Sequence, residues 1–195
     1  MDIQTHRVKN LSYVVIDNYF SNKELQAVLE ELHDLRRLAA GPDICISAKS
    51  EDGVRKKTGL GFFIDDVYID RAKSPLLVAT RKIFSREVLE PIINFDTIFG
   101  FIRQSNRDNC LVNYYTVGQT YESHHDYARI SAVTLLGIGK FVGGGFAFPD
   151  QGVEIEFKQS RTIIFPSCVN HASMPLEGGP DACRVSIAQF IDNKQ

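Results

Sequence analysis

The chain has 195 residues, 44% of them hydrophobic, which is the size and apolar content of one compact domain with a single core. Its 22 Lys+Arg against 24 Asp+Glu leave a net charge of −2, without the basic excess of a protein held by phosphate backbones, so nucleic acid is a disfavoured partner. No apolar run reaches the length of a membrane span, and the opening MDIQTHRVKN lacks the features of a signal peptide, so a cytoplasmic protein is expected.

The segment LSYVVIDNYF (11–20) is a short apolar run, and Ser21-Asn22-Lys23-Glu24 after it is a capping box. Beyond this cap Leu25, Val28, Leu29, Leu32, Leu35 and Leu38 recur at helical spacing, which predicts a helix as far as Gly41 with one face buried, most naturally on a sheet. Gly41 to Gly61 reads as a long loop, either a lid or a solvated excursion, and carries the basic triplet Arg55-Lys56-Lys57. These three are candidates for substrate contact, with a solvated run as the plain alternative. A second helix is predicted from a Ser74 cap and Pro75, stopping before Pro91.

From about Asn109 the texture changes to short apolar or alternating segments, LVNYY, SAVTLLG, GFAF, VEIEF, RTIIF and RVSIAQFI, which is the rhythm of a sandwich or barrel. In the last of these Arg184 and Ser186 share one face, and Val185, Ile187 and Ile191 the other. One domain is expected over 1–195, with 1–108 as helical support and lid and 109–195 as the β core. The four cysteines, Cys45, Cys110, Cys168 and Cys183, lack paired spacing and read as reduced thiols. Cys168 with His171 is a poor zinc half-site, having no second pair to complete four ligands.

Of the five histidines, two stand in Tyr121-Glu122-Ser123-His124-His125-Asp126. On an extended backbone His124 and Asp126 project to one side and His125 to the other. Two imidazoles and a carboxylate on adjacent coordination positions leave the rest of an octahedral ion open, as non-heme Fe(II) oxygenases require. His171, just after the strand RTIIFP, is placed to return as the third ligand, and His6 and His33 are poorer candidates.

The stretch from Asn113 to Asp126 closely resembles the Tyr-x-Val-Gly-x-x-Tyr-x-x-His-x-Asp signature of prolyl 4-hydroxylase-like 2-oxoglutarate/Fe(II) dioxygenases. Val142-Gly143-Gly144-Gly145 through Phe148-Pro149 is similar to that family's Gly-Gly turn and strand, and Arg184-Val185-Ser186 to its Arg-x-Ser. The resemblance implies a mainly β, α+β fold: a double-stranded β-helix (jelly roll) with the N-terminal helices packed on the major sheet. It implies Fe(II) on His124, Asp126 and His171, 2-oxoglutarate held by Arg184, Ser186 and Tyr115, O2 as oxidant, and ascorbate as an auxiliary. The implied reaction is hydroxylation of an unactivated C–H bond coupled to release of succinate and carbon dioxide. The nearest resemblance points to a peptide or protein substrate, with proline leading. Arg184 stands where prolyl 4-hydroxylases have an earlier lysine, which keeps a free amino acid or other small molecule open. A binding module of the same fold without catalysis is the third reading. Tyr127 and Arg129, after the metal residues, are candidates for substrate contact or plain surface residues.

Overall fold

A computed structural model of the chain describes residues 1–41 and 56–193. Most of the expected Gly41 to Gly61 lid, with Cys45 and Arg55, lies outside the described residues. The strands in chain order are β1 (Asp2–Val8), β2 (Leu11–Asp17), β3 (Leu60–Phe63), β4 (Arg107–Thr116), β5 (Tyr121–His124), β6 (Ile130–Ile138), β7 (Phe141–Gly143), β8 (Phe146–Phe148), β9 (Val153–Ile155), β10 (Arg161–Pro166), β11 (His171–Ser173), β12 (Leu176–Gly178) and β13 (Cys183–Asp192). The helices are α1 (Asn22–Leu35), α2 (Pro75–Thr80), α3 (Arg86–Phe95) and α4 (Gly100–Gln104).

The molecule is mainly β, with antiparallel sheets and a few helices. A seven-stranded sheet runs β1-β2-β10-β6-β13-β4-β3, and a four-stranded sheet runs β5-β11-β8-β9. Strand alternation sorts the side chains of the large sheet into two cores. One face carries Val14, Ile16, Val112, Ile164, Val185 and Ile187, packed on Val28 and Leu32 of α1, Leu76 and Leu77 of α2, and Val88 and Ile92 of α3. The opposite face carries Val15, Leu111, Val133, Leu135, Ile163 and Ala188, which meet Phe146, Phe148 and Ile155 of the small sheet. Each fully buried aliphatic side chain contributes about 1.5–3 kcal/mol, so both faces are needed for the fold.

Local signals explain most boundaries. The capping box forms as expected: the Glu24 amide donates to Ser21 Oγ, and the Ser21 amide donates to Glu24 Oε2 at 2.7 Å. α1 ends earlier than the leucine spacing suggested, tightening into a 3-10 turn over Arg36–Leu38 that leaves Leu38 exposed. Ser74 caps α2 through the Leu77 amide, but the expected single helix breaks at Ser85, whose backbone is extended, and α3 runs on through Pro91. Burial of Val88, Leu89 and Ile92 together outweighs the roughly 3 kcal/mol that an interior proline costs. The first half is also not simply helical: β1, β2 and β3 are strands of the large sheet. The three described cysteines, Cys110, Cys168 and Cys183, are free. Among the described residues no helix is long and apolar enough to cross a membrane.

Candidate metal centre

β5 ends on His124 and pairs with β11, whose first residue, His171, is its direct register partner. Two imidazoles are thereby set side by side on the small sheet, with ring centroids 4.3 Å apart. Asp126 follows β5 in a turn held by its own amide, which donates to the Ser167 carbonyl at 2.9 Å. One ligand atom from each of His124, Asp126 and His171 lies within 4.8 Å of the other two. His171 Nε2 is 3.5 Å from Asp126 Oδ2, and His124 Nε2 is 3.9 Å from Asp126 Oδ1.

The backbone decides which ring nitrogen faces the centre. His124 Nδ1 lies 2.7 Å from the Glu122 carbonyl and His171 Nδ1 lies 2.9 Å from the Val169 carbonyl. A carbonyl can only accept, so each Nδ1 carries the proton and each Nε2 presents its lone pair inward. Burial pulls both histidines down to about 4, and for His124 the charge of His171 adds to that effect, so neutral ligand-competent rings prevail at neutral pH. Burial also pushes Asp126 above the usual carboxylate value, against which Ser131 Oγ donates to Oδ2 at 2.6 Å. Ser131 in turn meets Ser167 Oγ at 2.8 Å. Tyr121 stacks on His124 with centroids 3.6 Å apart, and Phe146 and Phe165 flank His171. This donor set, two neutral imidazoles and a carboxylate held from behind, suits a divalent transition metal with open positions.

The three residues border a small cavity lined also by Asn113, Tyr115, Ser173 and Ser186. Arg184 is 0% exposed beside it, its guanidinium 4.3 Å from the centre of the Tyr115 ring. Its Nη1 donates to the carbonyls of Gly144, Gly145 and Met174 at 3.0, 3.1 and 3.0 Å. The turn that supplies two of these carbonyls needs glycine, because Gly143 and Gly144 have positive φ and a Cβ on Gly145 would lie 2.5 Å from the Ile155 carbonyl oxygen. Arg184 Nε and Nη2 find no partner among the described residues. Two buried donor nitrogens are left for an acceptor, which is the complement a carboxylate supplies.

The other expected residues separate into groups. His125 is exposed and edge-on to Tyr127, which is itself exposed, and Arg129 pairs with Asp192 at 3.5 Å on the surface. Cys168 is exposed and outside the group that His171 joins, so the zinc half-site does not form. His6 stacks on Tyr13 and His33 is a surface residue. Lys57 overturns the solvated-run reading: it is 1% exposed, and its ammonium donates to Asn113 Oδ1. Ser131, Ser167 and Asn113 were not singled out from the sequence, although Asn113 shares a strand face with Leu111 and Tyr115.

No family model matches the sequence, and no curated protein matches it. Solved structures do match. A prolyl-4-hydroxylase of Pseudomonas putida superposes with a TM-score of 0.64 at 16% identity, over 95% of this chain and 95% of that one. The chain has the prolyl 4-hydroxylase fold. A Trichoplax adhaerens prolyl hydroxylase, solved with a peptide fragment of the hypoxia inducible factor oxygen degradation domain, matches with a TM-score of 0.61 at 15% identity, over 93% of this chain and 83% of that one. The viral collagen prolyl hydroxylase from Paramecium Bursaria Chlorella virus-1, solved with 2-oxoglutarate, gives a TM-score of 0.56 at 16% identity, over 93% and 96%. The prolyl 4-hydroxylase fold thus spans nearly all of this chain, and His124, Asp126 and His171 stand within it as the described group able to hold a metal.

Proposed function

We propose that the protein is an Fe(II)- and 2-oxoglutarate-dependent dioxygenase that hydroxylates an unactivated C–H bond, and that its two main sheets form a double-stranded β-helix. The observation that carries this reading is the convergence of His124, Asp126 and His171 beside a cavity, with both Nε2 lone pairs turned inward by backbone carbonyls. The bound Fe(II) and 2-oxoglutarate would supply oxygen activation and oxidative decarboxylation. The chain's own residues do the rest. His124, Asp126 and His171 would hold the metal on one side only, leaving the cavity side for ligands. Arg184 offers Nε and Nη2 to the remote carboxylate of 2-oxoglutarate, and Ser186 and Tyr115 on the cavity wall add hydroxyl donors. Tyr121, Phe146 and Phe165 around the histidines keep water from the ligand side chains.

The substrate class that fits best is a peptidyl proline or a similar side chain, supported by the matched fold and by the peptide bound to the Trichoplax protein. Anaerobic addition of Fe(II) and then 2-oxoglutarate should produce a visible metal-to-ligand charge-transfer band, and its absence would end the oxygenase reading in favour of a binding module. Succinate release is then compared across proline-rich peptides, free amino acids and oligonucleotides. Stimulation by peptides supports the substrate class, and stimulation by either of the others alone replaces it.

A further inference from the structure

Ser173 stands between the candidate metal centre and the buried head of Arg184. In β11, His171 and Ser173 are two residues apart, so alternation turns both side chains to one face; both line the cavity, and Ala172 between them does not. Two residues of strand advance the wall by roughly 6–7 Å, which carries it from His171 towards Arg184. The backbone on either side of Ser173 and its partner reaches Arg184 directly. Ser173 is paired in register with Phe146 of β8. Met174, which follows Ser173, and Gly145, which precedes Phe146, offer carbonyls that accept from Arg184 Nη1 at 3.0 and 3.1 Å. The guanidinium is therefore held against the end of the small sheet at which Ser173 faces the cavity, with Nε and Nη2 still without a partner among the described residues.

Among the described residues that line the cavity the only carboxylate is Asp126, at the metal end, so an anion for the free edge of Arg184 comes with the ligand. A carboxylate has more acceptor sites than one guanidinium edge fills, and a neighbouring hydroxyl can take one of them. We propose that Ser173 is a binding residue for the cosubstrate, its hydroxyl donating to the same remote carboxylate that Arg184 holds. This rests on the dioxygenase reading and extends it. The dicarboxylate end of the site is then gripped from both sheets, by Ser173 of β11 on one side and by Arg184 and Ser186 of β13 on the other, and the choice of a dicarboxylate over a monocarboxylate 2-oxo acid depends on both strands.

The test uses the Mn(II)-loaded protein without turnover and compares calorimetric binding of 2-oxoglutarate with that of 2-oxopentanoate, which has the same 2-oxo acid end but finishes in a methyl group. Ser173→Ala removes one oxygen and keeps the Cβ, so the fold is retained, and unchanged Mn(II) affinity reports an intact centre. The substitution should weaken 2-oxoglutarate by at least about tenfold, as the loss of a hydrogen bond to a charged group does, and leave 2-oxopentanoate within about twofold. Ser173→Thr restores the hydroxyl and should bring the preference for 2-oxoglutarate back towards that of the unsubstituted protein. An unchanged preference in Ser173→Ala, with both ligands unaffected or equally weakened, overturns the assignment, as does a Thr variant no more selective than the Ala one. Failure of the unsubstituted protein to prefer 2-oxoglutarate overturns the dioxygenase reading itself, and the assignment with it.

Discussion

Ser131 is where the candidate metal centre can be perturbed without touching a proposed ligand. Its hydroxyl donates to Asp126 Oδ2 at 2.6 Å and meets Ser167 Oγ at 2.8 Å, and the residue is wholly buried in β6. Ser131→Ala removes that donor, keeps the Cβ and adds no volume, so packing is nearly unchanged. A hydrogen bond to a charged group is worth about 1.5–3 kcal/mol, and outer partners of metal ligands typically control about 10- to 100-fold in affinity. The two ranges overlap, and the expected loss in Fe(II) or Mn(II) affinity is about 10- to 100-fold. Ser167→Ala should lose less, because it reaches Asp126 through the Ser131 hydroxyl and through a backbone carbonyl that the substitution retains. Anaerobic metal titration by calorimetry measures both variants, and thermal unfolding checks the fold. Unchanged affinity in a folded Ser131→Ala protein would refute the argument that this bond orients a metal-binding Asp126.

Three further outcomes follow from the same structure. His171→Ala should no longer retain stoichiometric Fe(II) while His125→Ala should, as measured by metal content after desalting; the opposite pattern breaks the assignment of ligands. Arg184→Ala should weaken 2-oxoglutarate binding by roughly 2–5 kcal/mol, and Arg184→Lys by less, because the ammonium keeps the charge but not the fork. Dissociation constants unchanged in both variants would remove Arg184 from the cosubstrate site. The bidentate pair of Arg161 with Asp17, at 2.6 and 2.9 Å, holds the Asp17 carboxyl below its ordinary value, chiefly through the Arg161 hydrogen bond. A lowered folded-state value means that its stabilisation is present above pH 4 and is lost as the pH falls through that value. Asp17→Asn should therefore destabilise by about 2 kcal/mol at neutral pH in denaturant unfolding, with the deficit shrinking below about pH 4.

What was readable in the sequence was what periodicity and local chemistry control. Alternation placed Val185 and Ile187 towards the helices and Arg184 and Ser186 on the opposite side, because a strand has no other way to dispose of successive side chains. The capping box was visible for the same reason: both its hydrogen bonds lie within four residues. β1 was not visible, because DIQTHRV is an edge strand with one wet side and little apolar contrast, and only its full register with β2 makes it a strand. For Lys57 the alternative of a solvated run fails for a deeper reason. A basic triplet in a glycine-containing loop is solvated unless the chain carries one of its members between two sheets, and that crossing is decided by the pairing of Lys57 with Tyr121 and of Gly61 with Asn113, partners far away in sequence. The three residues of the candidate metal centre lie between these extremes. His-x-Asp is local and could be read directly, whereas His171 depends on β11 pairing with β5 in the one register that sets it opposite His124. A shift of that register by one residue would turn the imidazole to the other face and dissolve the centre without altering a single side chain.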